Sequence, residues 1–237
     1  MQTSGIKVTL IDSCGTDLSV VNAARVSFEK ESDWITESDD GDTHYDSPRL
    51  ADRDAKLISY LARHQHTSPF NHCFASFRVK APIFVARQLV KHKFLPWNEV
   101  SRRYVDSEPE FYIPHTWRKR AENVKQGSSE ETADLSPICS MEGPNGCLFL
   151  PAEAAQVCLE TYQALLDVGV CPEQARMVLP QNTMTEWIWS GTLGAWADMC
   201  KLRLDAHAQK ETQEVAKLIS QEMKNLFPVS WQALLEV

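Results

Sequence analysis

Alternating and helical patterns of hydrophobic positions predict a mixture of strands and helices in the first half of the chain. Residues 6–11 (IKVTLI) alternate and are rich in β-branched side chains, which favours a strand. Residues 18–28 and 52–64 carry apolar side chains at helical spacing. Residues 73–81 (CFASFRVKA) alternate apolar with polar side chains, as is typical of a half-buried strand.

A further helix is predicted directly after this strand. Pro82 suits the first turn of a helix over residues 83–93 (IFVARQLVKHK), and Pro96 prevents its continuation. The helix should therefore end at a basic triplet, with a loop beyond it.

The second half of the chain has mainly helical periodicity. Helices are predicted over residues 152–169, 185–209 and 210–226, and the tryptophans of the second are expected in the core. Two stretches have turn-rich composition and little periodicity, at about 29–48 and 119–147, and are interpreted as loops. We expect one domain over residues 1–237.

Composition limits the kinds of partner. Lys and Arg total 24 against 32 acidic residues, so a net charge of -8 repels polyanions, and binding to duplex nucleic acid is not expected. The 7 cysteines are scattered and never spaced C-x-x-C, which favours reduced thiols and a cytoplasmic location. No window approaches the roughly 18 apolar residues that a membrane helix needs, and no export signal is apparent.

One segment concentrates positive charge in this acidic chain. Residues 91–104 (KHKFLPWNEVSRRY) hold five basic side chains in fourteen positions. Cations at the end of a helix complement its dipole, but this explains only the first three. Arg102 and Arg103 lie beyond Pro96 and stand beside hydroxyl groups and Glu99. Such a mixture suits a phosphorylated polar ligand, whose oxygens all need partners once water is removed.

Other polar residues have weaker patterns. Gln88 and Lys91 would share a helical face. Arg203 and His207 are four positions apart, a spacing that is also expected of an exposed helix with surface ion pairs. The histidines and cysteine of residues 64–73 fit no common zinc spacing, so no metal is expected. His66 is interpreted as a ligand-binding or hydrogen-bonding group.

The basic segment resembles the signature of the flavin-dependent thymidylate synthases. That signature is Arg-His-Arg, seven residues, Ser, any residue, Arg, Tyr; here 91–93 are Lys-His-Lys, and Ser, Arg, Arg, Tyr follow at 101–104. Further segments resemble the family in the same order: AARVSF (23–28), KLISYLARHQHTSPFNH (56–72), FRVKAPIFVARQ (77–88), FYIP (111–114), KQGS (125–128), ARMVLPQN (175–182) and LRLDAHAQ (202–209).

The resemblance implies a fold and a reaction. The fold is α+β, a small antiparallel sheet packed with long helices, in a homotetramer whose sites are shared between subunits. The reaction is reductive methylation of dUMP to dTMP. Methylenetetrahydrofolate supplies the carbon, and FAD reduced by NADPH supplies the hydride.

The resemblance also implies roles for individual residues. Arg203 would stabilise an ionised pyrimidine, with Ser101 as a positioning group and His66 as a further catalytic candidate. The implied cofactor contacts are Ser68, Lys91, His92, Lys93, Glu99, Thr192, Leu193, Gly194, Asp198 and His207. The implied nucleotide contacts are Gln88, Leu89, Val90, Lys91, Glu99, Val100, Ser101, Arg102, Arg103, Arg176 and Arg203.

Several positions depart from the family pattern. Lys91 and Lys93 keep the charge of the usual arginines but lose their planar fork. Asp198 replaces an amide by a group that only accepts hydrogen bonds, and Thr192 and Gly194 also differ. Two alternatives therefore stay open: methylation or hydroxymethylation of dCMP, and a non-catalytic nucleotide- or RNA-binding relative.

Overall fold

The computed structural model describes residues 1–37, 44–105, 107–122, 127–143 and 146–237. The strands are β1 (Gln2–Thr3), β2 (Lys7–Cys14), β3 (Ile35–Glu37), β4 (His44–Arg49), β5 (Phe74–Pro82), β6 (Trp97–Glu99), β7 (Glu110–Phe111), β8 (Arg118–Arg120), β9 (Ser128–Thr132), β10 (Glu142–Gly143), β11 (Gly146–Cys147) and β12 (Met184–Thr192). The α-helices are α1 (Asp17–Arg25), α2 (Asp52–Arg63), α3 (Ile83–Leu89), α4 (Pro151–Asp167), α5 (Pro172–Ala175), α6 (Leu193–Arg203), α7 (Lys210–Leu226) and α8 (Pro228–Leu235). Short 3₁₀ helices span Val26–Phe28, Ser68–His72, Ser136–Ser140 and Arg176–Val178.

An antiparallel sheet of order β2-β5-β12-β6 forms the centre of the fold. β5 and β12 pair along their whole length, from Phe74 opposite Thr192 to Pro82 opposite Met184. The predicted strand over 73–81 is confirmed, because Ala75, Phe77 and Val79 are fully buried on one face. Alternation of apolar and polar side chains thus fixes which face of the sheet meets the core.

Helices cover that buried face. α7 packs on β2 and β5, while α6, α7 and α8 pack against one another and α2 packs on α8. The predicted helix over 210–226 is confirmed as α7, with Val215, Ile219 and Met223 fully buried on one face. The start of α8 is fixed by Asp17, whose carboxylate accepts hydrogen bonds of 2.9 Å from the Val229 and Ser230 amides. Among the described residues, no helix could cross a membrane.

The predicted helix over 185–209 is wrong in its first part. Residues 184–192 form β12, in which Trp187 and Trp189 alternate with half-buried residues and point into the core. The predicted core location of these tryptophans is confirmed, but they are spaced as in a strand. Pairing with β5 shows that this segment is a strand and not a helix. Thr192 Oγ1 accepts from the Ala195 amide at 3.3 Å and so begins α6.

Two predicted helix ends are also corrected. α6 ends at Arg203, so His207 lies beyond the helix and the pair is not on one helical face. α3 ends at Leu89 with Val90 as its C-cap, so the basic triplet follows the helix and Gln88 and Lys91 do not share a face.

The expected loop after the triplet contains the edge strand β6. Trp97 stacks on Trp187 with ring centroids 4.2 Å apart, which holds β6 on β12. Gly191 lets Leu95 approach the sheet, because a Cβ at this position would collide with Leu95 Cδ2.

The two predicted loops contain paired strands where they are described. β3 pairs with β4 in the first, and β8 with β9 and β10 with β11 in the second. Residues 38–43, 123–126 and 144–145 lie outside the described residues, including the first two positions of the KQGS segment.

Candidate functional site

Arg203, His92 and Gln88 form a cluster, which we call the Arg203 cluster. Arg203 stands at the last position of α6, and its Nε donates to His92 Nε2 at 2.9 Å. Its Nη2 donates to the main-chain oxygen of Gln88, also at 2.9 Å. The end of α6 is thereby joined to the end of α3, and three residues predicted for one site are brought together.

The electrostatics of the cluster favour a fixed cation beside a neutral imidazole. Burial, and then the positive charge of Arg203, lowers the pKa of His92 to about 4. His92 is therefore neutral near pH 7, and its Nε2 can accept the Arg203 proton only in the tautomer with hydrogen on Nδ1. Burial also lowers the pKa of Arg203, but a guanidinium stays charged at neutral pH.

The Gln88 side chain faces α7. Its Nε2 donates to Gln209 Oε1, and Thr212 Oγ1 donates to Gln88 Oε1 at 3.3 Å. Gln88 was predicted to contact a nucleotide, but in this chain its amide is held by neighbouring helix residues. Gln88 contributes its main-chain oxygen to the cluster, and this oxygen orients Arg203 by accepting a hydrogen bond.

A cavity of about 690 Å³ lies at the start of α6, and we call it the Thr192 cavity. Its wall includes four predicted site residues, His66, Thr192, Gly194 and Asp198. They meet here because the turn between β12 and α6 faces the end of α2 and the Ser68–His72 turn.

Asn71 is a residue of this cavity that sequence reasoning missed. Thr192 Oγ1 donates to Asn71 Oδ1 at 2.8 Å, which leaves the Asn71 NH₂ group as a donor for the cavity. Gly194 permits this approach, since a Cβ there would lie 2.8 Å from Asn71 Oδ1. No sequence signal marks Asn71, because its hydrogen-bond partner Thr192 lies 121 positions away.

Phe94 joins the basic triplet to the same cavity. It follows Lys93 directly, is 82% exposed, and has a left-handed backbone with φ of 62°. Phe94 lines the cavity, so a bulky aromatic residue stands at this wall. Lys91 and Lys93 are themselves exposed and do not line it.

The chemistry of the Thr192 cavity fits part of a flavin dinucleotide. Its volume is within the roughly 300–1,000 Å³ of small-molecule sites. Leu61 and Phe70 provide an apolar wall for a flat ring system, while Asn71 and Thr192 provide polar atoms for its edge. Leu193, a predicted cofactor contact, is fully buried in the core, its amide donates to the Cys73 carbonyl at 2.9 Å, and it does not line the cavity.

A third region holds predicted nucleotide contacts. Glu99, Val100, Arg102 and Arg176 line a cavity of about 390 Å³, which we call the Arg176 cavity. Glu99 accepts from Thr185 Oγ1 at 2.7 Å and from Trp97 Nε1 at 3.1 Å, which fixes its carboxylate. The carboxylate therefore has a set orientation before any ligand arrives.

The basic residues beside this cavity make local contacts. Arg102 donates to the Ser107 carbonyl at 2.8 Å, and Arg176 to the Glu173 carbonyl at 3.2 Å. Arg103 Nε donates to Ser101 Oγ at 3.2 Å. These guanidinium groups keep further N–H groups for an anion.

Comparison with known proteins decides the family. The profile of the family described as "Thymidylate synthase complementing protein" matches residues 9–229. A flavin-dependent thymidylate synthase of Thermus thermophilus is 38% identical over 229 residues, covering 97% of this chain and 75% of the relative. The chain belongs to the flavin-dependent thymidylate synthases. Another relative of that name, from Kosmotoga olearia, is 37% identical and covers 96% of this chain and 89% of its own.

Solved structures agree with this flavin-dependent thymidylate synthase assignment. A UMP/dUMP methylase, PolB, from Streptomyces cacaoi bound with 5-Br dUMP superposes with a TM-score of 0.77 at 30% identity, covering 98% of this chain and 96% of that one. The same methylase bound with 5-Br UMP gives a TM-score of 0.70 at 28% identity. The expected α+β fold with small antiparallel sheets and the expected enzyme class, a methyltransferase, are confirmed.

One chain does not gather the predicted residues into a single site. Several of them lie in the Arg203 cluster, the Thr192 cavity or the Arg176 cavity, whereas Ser68, Lys91 and Lys93 line neither cavity. Leu89 is fully buried, and the His207 amide is bonded to Asp205 Oδ1 at 2.7 Å. Within the described ranges, no group of three or more His, Cys, Asp or Glu side chains is arranged to hold a metal.

Proposed function

We propose that this protein methylates C5 of dUMP to give dTMP, with FAD as cofactor, NADPH as reductant and methylenetetrahydrofolate as carbon donor. The observation that carries the proposal is the family match over residues 9–229. The relatives named flavin-dependent thymidylate synthase and the structural neighbour bound with 5-Br dUMP support it.

Arg203 has the properties that activation of a pyrimidine ring requires. A uracil ring that loses its N3 proton carries negative charge, and a preoriented guanidinium stabilises that charge without giving up its own proton. Two of the Arg203 N–H groups are fixed by His92 and by the Gln88 carbonyl. Its Nη1 group remains for the ring, and the two hydrogen bonds hold it in place before substrate arrives.

The Thr192 cavity is the proposed place for part of FAD. When bound and reduced, the flavin supplies the hydride that completes the methyl group. The residues of this chain bind and orient it: Asn71 donates from its NH₂ group, Thr192 fixes the Asn71 rotamer, and Phe70 shields a ring face from water. Lys91 and Lys93 would reach phosphate groups as point charges.

A homotetramer with shared sites is part of the proposal. The predicted residues are spread over several separate regions of one chain, as expected if neighbouring subunits complete each site. Light scattering coupled to size-exclusion chromatography tests this, because a monomeric species with full activity would contradict it.

UMP is a second candidate substrate. The structural neighbour is named a UMP/dUMP methylase and has been solved with both 5-Br dUMP and 5-Br UMP. The ribose and deoxyribose nucleotides differ by one hydroxyl group, so the same ring-activating contacts would serve both.

The deciding experiment is an assay with defined substrates. Purified protein is incubated with FAD, NADPH and methylenetetrahydrofolate, and with dUMP, UMP or dCMP in separate reactions. Mass spectrometry of the nucleotide is expected to show dUMP gaining one methyl group. A methylated or hydroxymethylated dCMP with dUMP unchanged would contradict the proposal, and methylation of UMP alone would favour the second candidate.

A further inference from the structure

A cavity of about 470 Å³, which we call the Trp117 cavity, has none of the predicted site residues in its lining, although Gln209 in its wall accepts a hydrogen bond from Gln88. It is bounded by the β8–β9 pair, the start of α7 and the segment after β7. Phe84, Tyr112 and Trp117 line it together with Arg118, Gln209 and Glu211. None of the residues assigned to FAD or nucleotide lines this cavity.

Glu211 has an unused carboxylate oxygen in this wall. The residue is only 5% exposed, and Oε1 accepts from Arg118 Nη2 at 2.8 Å. Oε2 is buried and has no hydrogen-bond partner in the part of the chain that the structure describes. Buried polar atoms almost always have partners, so this oxygen needs a donor that the described residues do not supply.

The charge around the cavity favours a cationic donor. The Arg118 guanidinium donates to both Glu211 and Ser128. Ser128 Oγ accepts from Nε at 2.7 Å. The pKa of Glu214, one turn along α7, is raised by burial and then by Glu211. The pKa of Tyr112 is raised by burial and then by both carboxylates. At Tyr112 the two carboxylates thus outweigh the Arg118 guanidinium, while Lys217 opposes Glu211 at Glu214, so the Tyr112 side of the cavity attracts positive charge.

The cavity walls favour a flat ligand. The Phe84 and Tyr112 rings stand edge to face with centroids 6.2 Å apart, and the Trp117 ring is 39% exposed. Aromatic walls suit a planar ring, and a cation beside them is further stabilised by their π-electrons.

We propose that the Trp117 cavity is a second small-molecule site, which takes a planar aromatic cation, such as an arylamidine, with an N–H group donated to Glu211 Oε2. This site is independent of the proposed reaction. Among the described residues of this wall, Glu211 Oε2 is the carboxylate oxygen that is buried and unpaired, so a single charge-assisted hydrogen bond anchors the ligand and ring contacts orient it.

Benzamidine and benzamide form a matched pair of probes, because they have the same ring and nearly the same shape but only benzamidine is charged. Isothermal titration calorimetry of the full-length protein is expected to give a benzamidine Kd of about 1 mM or tighter, as suits so small a ligand. Benzamide should bind at least about tenfold more weakly. Equal binding of the two probes, or no binding of benzamidine by folded protein, would overturn the proposal.

Three substitutions test whether benzamidine binds in the Trp117 cavity. Glu211→Gln keeps an oxygen for Arg118 and removes the charge, so benzamidine affinity should fall about tenfold or more. Trp117→Ala, at a partly exposed ring, should weaken both probes. Glu222→Gln on the same helix is the matched control and should leave both affinities unchanged. Circular dichroism confirms that each variant folds.

Competition with nucleotide separates this site from the proposed active site. Saturating dUMP should leave the benzamidine affinity of the wild-type protein unchanged within about twofold. Displacement of benzamidine by dUMP would show that the cavity belongs to the nucleotide site and would refute a second site. Failure of the methylation assay has no bearing on these titrations.

Discussion

Arg203 donates a hydrogen bond from Nε to Nε2 of His92 at 2.9 Å, although the two residues stand 111 positions apart. The bond joins the last residue of α6 to the turn that follows α3. It requires a neutral imidazole, and the low pKa of His92, about 4, meets that condition. A second bond, to the Gln88 carbonyl, fixes the rotation of the guanidinium.

Arg203→Lys should reduce methylation strongly while leaving the fold intact. Lysine keeps the positive charge but cannot donate to His92, to the Gln88 carbonyl and to a ligand in the same geometry. We expect turnover of dUMP to fall by roughly 10²–10³-fold, the usual effect of losing one preoriented donor. Single-turnover assays measure this, and the exposed Arg87→Lys on α3 is the control. An unchanged rate would remove Arg203 from the chemistry.

His92 should make folding stability depend on pH. Its pKa is about 4 when folded and 6.5 in its unperturbed state, so the unfolded chain binds more protons between these values. Stability contributed by neutral His92 is therefore complete above about pH 6.5 and is lost as the pH falls towards 4. The full shift corresponds to about 3 kcal/mol. Because the ring is only half buried, solvent screening should reduce the loss to on the order of 1–2 kcal/mol.

His92→Gln tests this dependence, because glutamine can still accept from Arg203 but does not titrate. Urea unfolding at pH 7 and at pH 4.5 should show a smaller loss of stability for the variant than for the wild-type protein. The same pH dependence in both proteins would assign it to other groups.

The local pattern of apolar and polar residues predicted most of the helices and strands in which that pattern has a clear period. The strand at 73–81 and the helix over 210–226 were confirmed because each has one buried face. Residues 185–192 were misread because three tryptophans also match a helical spacing, and only pairing with β5 distinguishes the two. Buried and half-buried residues alternate only from Trp187 to Thr192, and this short pattern competed with the helical pattern that follows it.

The site was less predictable than the fold. The family resemblance identified Arg203 and His92, but no spacing shows that they contact each other. Asn71 was missed because its role depends on Thr192 and on the missing Cβ of Gly194. The inward-facing amide of Gln88 likewise depends on Gln209, in a different part of the chain.

Gly191→Ala should destabilise the protein and disturb the segment after the basic triplet. An added Cβ would collide with Leu95 Cδ2 and lie 3.3 Å from the Phe94 carbonyl oxygen. We expect a loss of about 1–3 kcal/mol, as for other overpacked sites, together with weaker FAD binding as Phe94 shifts. Thermal unfolding and flavin fluorescence measure the two effects.

Gly5→Ala provides the comparison for this variant, since nothing lies within 4 Å of a Cβ at that position. Its stability should be close to that of the wild-type protein. If Gly191→Ala is equally stable, the close approach of Leu95 does not constrain this segment.

Asp198→Asn should strengthen FAD binding. Asp198 is exposed in the wall of the Thr192 cavity, and its carboxylate repels the two phosphate groups of FAD. Replacing it by an amide removes this repulsion and adds a donor. We expect the FAD Kd to fall about three- to tenfold at low ionic strength and the gain to shrink as salt screens the charge. Quenching of flavin fluorescence measures the affinity.

Asp52→Asn, an exposed change of the same charge in α2, should have no such effect. Weaker binding by Asp198→Asn would instead mean that the carboxylate accepts a hydrogen bond from the cofactor.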